Sequence, residues 1–263
     1  MTINQQTVVE SQQLVVDVFR GFRAELMKSY GAIEYERKAD YSPVTRLDIK
    51  VEQDLKDQLG KAYPEFGFQG EETGKSGNDQ QFWLVDPIDS TSSFIRGLPF
   101  CTNMAALIEN DLPIAMVIYD FVTDVLYTAV KGGGAYENGR QIHVNTTRLP
   151  GNLFVYSLSG HRFDDLRLTL FAVGMKAFYP VGAAGHAYVM LAKGEIDGVT
   201  VLNTKTSAHD NAPGLLLVSE AGGEIVSLDG KDDVYVHEFV AGTPVVTELV
   251  QEHQDAFHAL IGR

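Results

Sequence analysis

The chain has 263 residues, 44% of them apolar and 21% charged, the composition of a globular protein built as one large domain or two closely joined halves. Its net charge of −14 argues against nucleic acid or an anionic membrane as a main partner, and makes an anionic substrate awkward unless cations neutralise its site. With one cysteine, no apolar run near the ~18–20 residues that span a bilayer, and an N-terminus lacking the basic and apolar regions of a secretory signal, a cytoplasmic protein without an intrachain disulfide is expected.

Residues 7–30 read as an amphipathic helix, with Val15, Val18, Phe19, Phe22 and Leu26 on one stripe and Gly31 after it. A second helix is expected over 45–61, where Leu47, Val51, Leu55 and Leu59 recur every four residues and Pro64 follows. Short strands are expected at 66–69 and 82–85, then a meander of 102–108, 114–121 and 125–130 with turns at Asn110-Asp111 and Val122-Thr123-Asp124. Glu137-Asn138-Gly139 is a hairpin signal leading into 141–144. Beyond Leu149-Pro150-Gly151 strands alternate with helices: strand 154–158, helix 166–175, strand 178–181, helix 182–193, strand 196–201, helix 210–221, strand 224–227 and a closing helix 244–261. That alternation predicts an α/β second half. No repeat or long linker separates independent domains. The chain therefore reads as two halves, an α+β half over 1–148 and an α/β half over 149–263, with acidic residues of both meeting at one interface.

The most informative stretch is Trp83-Leu84-Val85-Asp86-Pro87-Ile88-Asp89-Ser90-Thr91. An apolar run that reads as a buried strand ends in two carboxylates with a proline between them. Pro87 fixes its own φ and pushes Asp86 away from helical geometry, so the chain turns sharply there. Asp86, Asp89 and the Ile88 carbonyl can then converge on one point. Oxygen-only ligands of this kind suit a hard divalent cation such as Mg²⁺. Asp89-Ser90-Thr91 also reads as a helix start whose free N–H groups can hold a phosphate. The same residues are ordinary turn and cap vocabulary, so the surroundings decide. Upstream, Phe66-Gly67-Phe68-Gln69-Gly70-Glu71-Glu72-Thr73 is another apolar segment ending in paired acids. Downstream, Ser207-Ala208-His209-Asp210-Asn211-Ala212 opens an apolar helical run that ends in Ser219-Glu220-Ala221-Gly222-Gly223.

Together the three clusters resemble the inositol monophosphatase family of Mg²⁺-dependent, lithium-sensitive phosphatases. That family carries Gly-Glu-Glu, then Asp-Pro-Ile-Asp-Gly-Thr, then Trp-Asp-x-Ala-Ala-Gly with a following Glu-Ala-Gly-Gly. The resemblance runs from Lys38 to Leu228 and loosely beyond both ends. It implies a layered α-β-α-β-α sandwich of the inositol monophosphatase/fructose-bisphosphatase type. It also implies two or three Mg²⁺ ions, with Mn²⁺ able to substitute, a small phosphorylated substrate and a homodimer. By the resemblance, Glu71, Asp86, the Ile88 carbonyl, Asp89 and Asp210 are the metal ligands. Asp48 and Thr91, with Glu71, position a metal-activated water; N–H groups at Ser90 and Thr91 hold phosphate; and Gly182-Ala183-Ala184 lies against the sugar-like moiety. The segment from Lys38 to Thr45 resembles the mobile loop that closes over the metals in bacterial relatives. Read from the residues alone, Asp48 equally completes a capping box with Thr45, Asp210 is an N-cap residue, and Gly182-Ala183-Ala184 is a run of small residues for close packing.

The sequence departs from the family pattern at three places. Ser90 replaces a glycine, where a side chain demands an ordinary φ or brings mild strain. His209 replaces the Trp before Asp210, as a donor that orients Asp210 or as a packing group. Asn203 stands where inositol-specific relatives carry a Glu that contacts inositol hydroxyls, which weakens a preference for inositol. Ser93-Phe94-Ile95-Arg96-Gly97-Leu98-Pro99 resembles the histidinol-phosphate phosphatase branch of the same superfamily. The expected function is Mg²⁺-dependent hydrolysis of a small polyol or sugar phosphate such as inositol monophosphate. The alternatives are histidinol-phosphate hydrolysis and a regulatory or interaction protein on the same scaffold. The seven histidines show no paired zinc spacing, Cys101 reads as core, and Gly132-Gly133-Gly134 lacks the Lys-Ser/Thr of a P-loop.

Overall fold

The computed structural model describes residues 3–158, 163–178, 183–204 and 206–261. Helix α1 (Gln5–Ser29) leads through a hairpin of β1 (Tyr35–Arg37) and β2 (Pro43–Thr45) into α2 (Arg46–Ala62). Then come β3 (Gly67–Gly70), β4 (Gly74–Ser76), β5 (Gln81–Asp89), the single turn α3 (Thr91–Phe94), β6 (Thr102–Glu109), β7 (Leu112–Asp120), β8 (Val125–Val130), β9 (Gly134–Glu137) and β10 (Arg140–Ile142). The eight strands from β3 to β10 form one sheet in the order β10-β9-β8-β7-β6-β5-β3-β4. The chain continues as β11 (Leu153–Ser157), α4 (Phe163–Ala172), β12 (Met175–Phe178), α5 (Ala184–Ala192), β13 (Gly198–Val201), α6 (Ala208–Glu220), β14 (Glu224–Ser227), β15 (Phe239–Gly242), α7 (Pro244–Glu252) and α8 (Gln254–His258). Its five strands are ordered β12-β11-β13-β15-β14.

Successive side chains of a strand face opposite ways, and that alternation builds the layers. In β5, Trp83 and Val85 pack with Val15, Phe19, Leu47 and Val51 of α1 and α2. Phe82 and Leu84 turn to the other face, where Tyr188, Leu191, Leu216 and Leu217 of α5 and α6 meet them. The same two helices cover Val199, Val201, Phe239 and Ala241 of the five-stranded sheet. On that sheet's far side, Val155 and Val240 pack with Leu170, Val246 and Phe257 of α4, α7 and α8. The result is the layered α-β-α-β-α sandwich. No helix among the described residues is long and apolar enough to cross a membrane.

The elements differ from the expected ones in instructive places. Gly174, at φ 82°, follows the end of α4 and frees Met175 to pair with Leu153, so the expected strand 178–181 lies earlier, at β12. Residues 179–181 of that expectation fall outside the described residues. β15 was not anticipated: it is buried along its whole length between β13 and β14, so it carries no alternating pattern. The closing helix breaks at His253 (φ −116°, ψ 28°), and the new direction of α8 carries Phe257 to full burial.

Candidate active site

The expected strand 82–85 runs on through Asp89, and its pairing explains how two acids three residues apart come together. In a regular strand, residues at an odd separation face opposite sides. Here Asp86 pairs with Met104 and Asp89 with Thr102, so the register slips by one residue between them. This bulge, holding Pro87 and Ile88, restores both carboxylates to one side. The Pro87 carbonyl accepts from the Asn103 side chain, and the Ile88 N–H donates to Asp86 Oδ1 at 3.1 Å, which fixes the bulge. β3 runs parallel to β5 with Gly70 opposite Val85, and the Glu71 N–H donates to the Val85 carbonyl at 3.1 Å. Parallel pairing thus sets Glu71 and Asp86 at the same sheet end.

Two helices each bring an acid from their first turn. In α2, Asp48 Oδ2 accepts the Thr45 N–H at 2.8 Å and the Thr45 hydroxyl at 2.6 Å, while Oδ1 lies 3.1 Å from Thr91 Oγ1. Thr91 Oγ1 is also 3.1 Å from the Ile88 carbonyl. In α6, Asp210 Oδ2 accepts the Ser207 N–H at 2.6 Å. Both acids are third-position partners of a capping box: Asp48 closes the one expected with Thr45, whereas at α6 the N-cap is Ser207 and not Asp210 as expected, and in each case one carboxylate oxygen is not used by the cap. One oxygen each from Asp86, Asp89 and Asp210 lie within 4.8 Å of one another.

The electrostatics of this group call for a cation. Burial, then the charges of Glu71, Asp89 and Asp210, push the Asp86 carboxyl well above the usual range. Burial and Asp210 push Asp89 up to about 7, against the pull of the Gly185 and Ala184 N–H groups. Burial likewise raises Asp210 and Asp48. Acids this close resist joint ionisation unless positive charge joins them. Mg²⁺ takes oxygen ligands at about 2.0–2.1 Å, so two of its ligands stand no more than about 4.2 Å apart. An all-carboxylate set gathered within 4.8 Å fits such a hard ion in its donor chemistry, with a contraction of a few tenths of an ångström bringing it to that span.

Around the cluster, the Ala184 and Gly185 N–H groups donate to Asp89 Oδ1 and Oδ2 at 3.3 and 2.7 Å, and Thr102 Oγ1 donates to Oδ2 at 3.2 Å. Ala183 is the buried cap residue of α5, and Gly182 lies outside the described residues. Ser90 takes the left-handed conformation at φ 63°, ψ 58°, so the mild strain foreseen for it is present. Lys38 Nζ sits 2.6 Å from both Glu71 Oε1 and Glu72 Oε1. His209 Nε2 is 3.7 Å from Asp210 Oδ2 and 4.0 Å from Glu71 Oε2, and its ring is within hydrogen-bond reach of Ser207 Oγ. Asn203, at φ 51°, is held elsewhere: its N–H donates to the Glu238 carboxylate and its amide to the Leu260 carbonyl at 2.7 Å.

Besides Thr102 and Asn103, two further residues outside the expected set bear on this machinery. A Cβ on Gly185 would stand 2.4 Å from Thr102 Oγ1 and 3.1 Å from Asp89 Oδ2, so the close approach of α5 to Asp89 needs glycine. Its signal was the extension of the small-residue run by one position. The second is Glu52, fully buried, which accepts N–H groups of Glu72 and Thr73. Glu52 lies four residues after Asp48, hence on the same helix face, and that spacing was legible.

The five-layered α/β sandwich thus gathers carboxylates from both sheets' surroundings at strand ends and helix starts. A sequence model of the inositol monophosphatase family matches residues 4–259. The chain is 34% identical over 212 residues to an inositol-1-monophosphatase of Mesorhizobium japonicum, covering 77% of this chain and 79% of the relative. It is 34% identical over 201 residues to a protein of Xylella fastidiosa named Nus factor SuhB, covering 74% and 72%. The fold matches an IMPase of Thermotoga maritima with a TM-score of 0.82 at 22% identity, over 94% of this chain and 98% of that one. The chain belongs to the inositol monophosphatase family, and is by that membership a phosphoric monoester hydrolase.

Proposed function

We propose that the chain is a Mg²⁺-dependent phosphomonoesterase acting on a small polyol or sugar phosphate such as inositol monophosphate. The observation that carries this is the convergence of Asp86, Asp89 and Asp210 beside the linked pair Asp48 and Thr91. Glu71, Asp86, the Ile88 carbonyl, Asp89 and Asp210 would hold the ions, drawn from both the 1–148 and the 149–263 halves. Divalent cations there would polarise the phosphate and lower the pKa of the attacking water. The chain's own groups do the rest. Thr91 Oγ1 orients the water, and Asp48 Oδ1 behind it accepts the hydroxyl proton. Burial raises the proton affinity of Asp48, which favours that role. N–H groups at Ser90 and Thr91 would face the phosphate, and Ala183 and Ala184 would lie toward the organic moiety. Asn203 replaces an inositol-contacting Glu and has its amide committed to Leu260, so selection for inositol over other polyols is weak. On the same reading Mn²⁺ substitutes for Mg²⁺, lithium inhibits at millimolar levels, and the chain works as a cytoplasmic homodimer.

The test is a panel of phosphate esters assayed with and without Mg²⁺, beside Asp89→Asn. Phosphate release should require the cation and vanish in the variant while the circular dichroism spectrum stays unchanged. Full activity of chelated protein would sink the reading. A second reading, a regulatory protein on this scaffold, is favoured by the likeness to a relative named Nus factor SuhB. Absence of turnover on every ester, with cation binding retained, would select it.

A further inference from the structure

Glu52 leaves α2 one turn after Asp48 and has 0% of its surface exposed. Its oxygens are taken by consecutive N–H groups of the turn after β3, Oε2 by Glu72 at 2.9 Å and Oε1 by Thr73 at 2.7 Å. Gly70, which ends β3, leaves the space for this: a Cβ there would stand 2.0 Å from the Glu52 carboxylate carbon. Only a glycine admits the acid so close to the backbone. On the other side of the same turn, the Glu71 N–H is tied to the Val85 carbonyl at 3.1 Å. The turn is therefore gripped from two directions, by β5 and by α2.

A carboxylate removed from water costs free energy unless polar partners replace the water. The neighbouring inward positions of α2 are filled by Leu47, Val51 and Leu55, all fully buried. Packing alone would be served by another apolar residue. What a carboxylate adds is two charge-assisted hydrogen bonds, a geometry that fixes the orientation of one short peptide segment.

We propose that Glu52 is a positioning residue: it clamps the turn from Glu71 to Thr73 so that the Glu71 carboxylate faces the Asp86 side of the cation site. Glu52 itself touches neither cation nor substrate and acts through the turn's backbone. This rests on the cation-dependent reading above. Partners that orient metal ligands typically account for 10- to 100-fold in metal affinity, and Glu52 has the geometry of such a partner although it holds backbone rather than a ligand side chain.

Glu52→Gln tests this while conserving shape, because the amide nitrogen cannot accept a backbone N–H and one of the two bonds is lost. Titration calorimetry with Mg²⁺ alone should show affinity lowered by about tenfold, at the low end of that range. Turnover lost at limiting Mg²⁺ should return when Mg²⁺ is raised, which a purely structural role would not produce. Affinity within about twofold of the unaltered chain would overturn the clamp. Should Glu52→Gln fail to fold, amide exchange in the unaltered protein decides: slow exchange at both Glu72 and Thr73 supports the clamp, and open-loop rates at both overturn it. The underlying reading fails separately. An unaltered chain that binds Mg²⁺ in a Glu52-dependent way but hydrolyses no ester would refute phosphatase activity and leave the clamp standing. One that hydrolyses esters while Glu52→Gln binds and turns over equally well would refute the clamp alone.

Discussion

Ser90 holds a backbone conformation that costs a side-chain-bearing residue roughly 1–2 kcal/mol and costs glycine little. Ser90→Gly removes that strain but adds about 0.5–1 kcal/mol of unfolded-state entropy. A net gain of about 0.5–1 kcal/mol is expected, read as a higher urea midpoint at unchanged slope. A variant less stable than the parent would show that the 2.9 Å contact of the Ser90 and Ser93 hydroxyls outweighs the strain. Asp48 poses the complementary case, because its two oxygens have separate duties. Asp48→Asn should lower kcat by about a hundredfold or more through loss of the proton acceptor. Its melting temperature should fall by only a few degrees, since the amide oxygen can still accept from Thr45. An equal loss of stability and activity would mean that Asp48 does no more than begin α2. In the sequence Asp48 and Asp210 each carried two readings, and no single-sequence pattern could choose. The structure lets both readings stand, because one oxygen of each acid serves the helix start while Asp48 Oδ1 meets Thr91 and an oxygen of Asp210 joins the cluster with Asp86 and Asp89.

At the scale of elements, α5 is pinned to the eight-stranded sheet beside the site. His186 Nε2 lies 3.4 Å from Asp120 Oδ2, while Asp120 Oδ1 accepts the Val122 and Thr123 N–H groups, both at 3.0 Å. Burial raises the Asp120 carboxyl, but the bonds from His186 and Thr123 more than offset this and hold it below the usual range. A carboxyl lowered in the folded state adds stability that is fully present above its unfolded pKa and is lost as pH falls through its folded pKa. Asp120→Asn should therefore cost about 1.5–3 kcal/mol at neutral pH. That difference should shrink as pH drops below the ordinary carboxylate range; a difference independent of pH would exclude the carboxylate as its source. α6 and α5 meet at Gly214, where a Cβ would stand 1.9 Å from the Tyr188 ring. Gly214→Ala is expected to destabilise by about 1–3 kcal/mol in a urea melt. The long helices were legible because a repeating stripe must face a core. β1, β2 and β4, of three residues each, are too short to show a period, and β15, buried on both faces, has none.

On the scale of the whole molecule, one core is shared by the two proposed halves: Phe82, Met104 and Ile118 lie in it with Leu191, Leu217 and Phe239. Neither half can open without exposing it. Unfolding should be a single cooperative transition. Trp83 is the only tryptophan and is fully buried in the α1–α2 layer, so its fluorescence reports the first half alone. Its urea transition should coincide with that of far-ultraviolet circular dichroism, which reports both halves. A separation of the two midpoints would mean that the halves fold apart. The family and its layers were legible because they rest on short motifs and on alternation along strands. Substrate identity was not, because selection for the organic moiety depends on how distant segments are placed around the phosphate, as the commitment of Asn203 to Leu260 illustrates.

The slip between Asp86 and Asp89 has a consequence that concerns arithmetic more than chemistry. What brings the two acids together is their separation, three positions and therefore odd, compensated by one extra residue on a single strand. Losing Ile88 would leave the charge and both acids intact, and an even separation in a regular register would still put them on one face; what it removes is the bulge itself, with the Ile88 carbonyl and the Ile88 N–H bond to Asp86. Exchanging Ile88 for another apolar residue keeps the count, and its carbonyl is backbone that every residue supplies. A library of single deletions and a library of single substitutions should therefore disagree most sharply at this position, with the deletion inactive and many substitutions active. Part of the catalytic information is stored here as chain length, in a form that no inventory of side chains records.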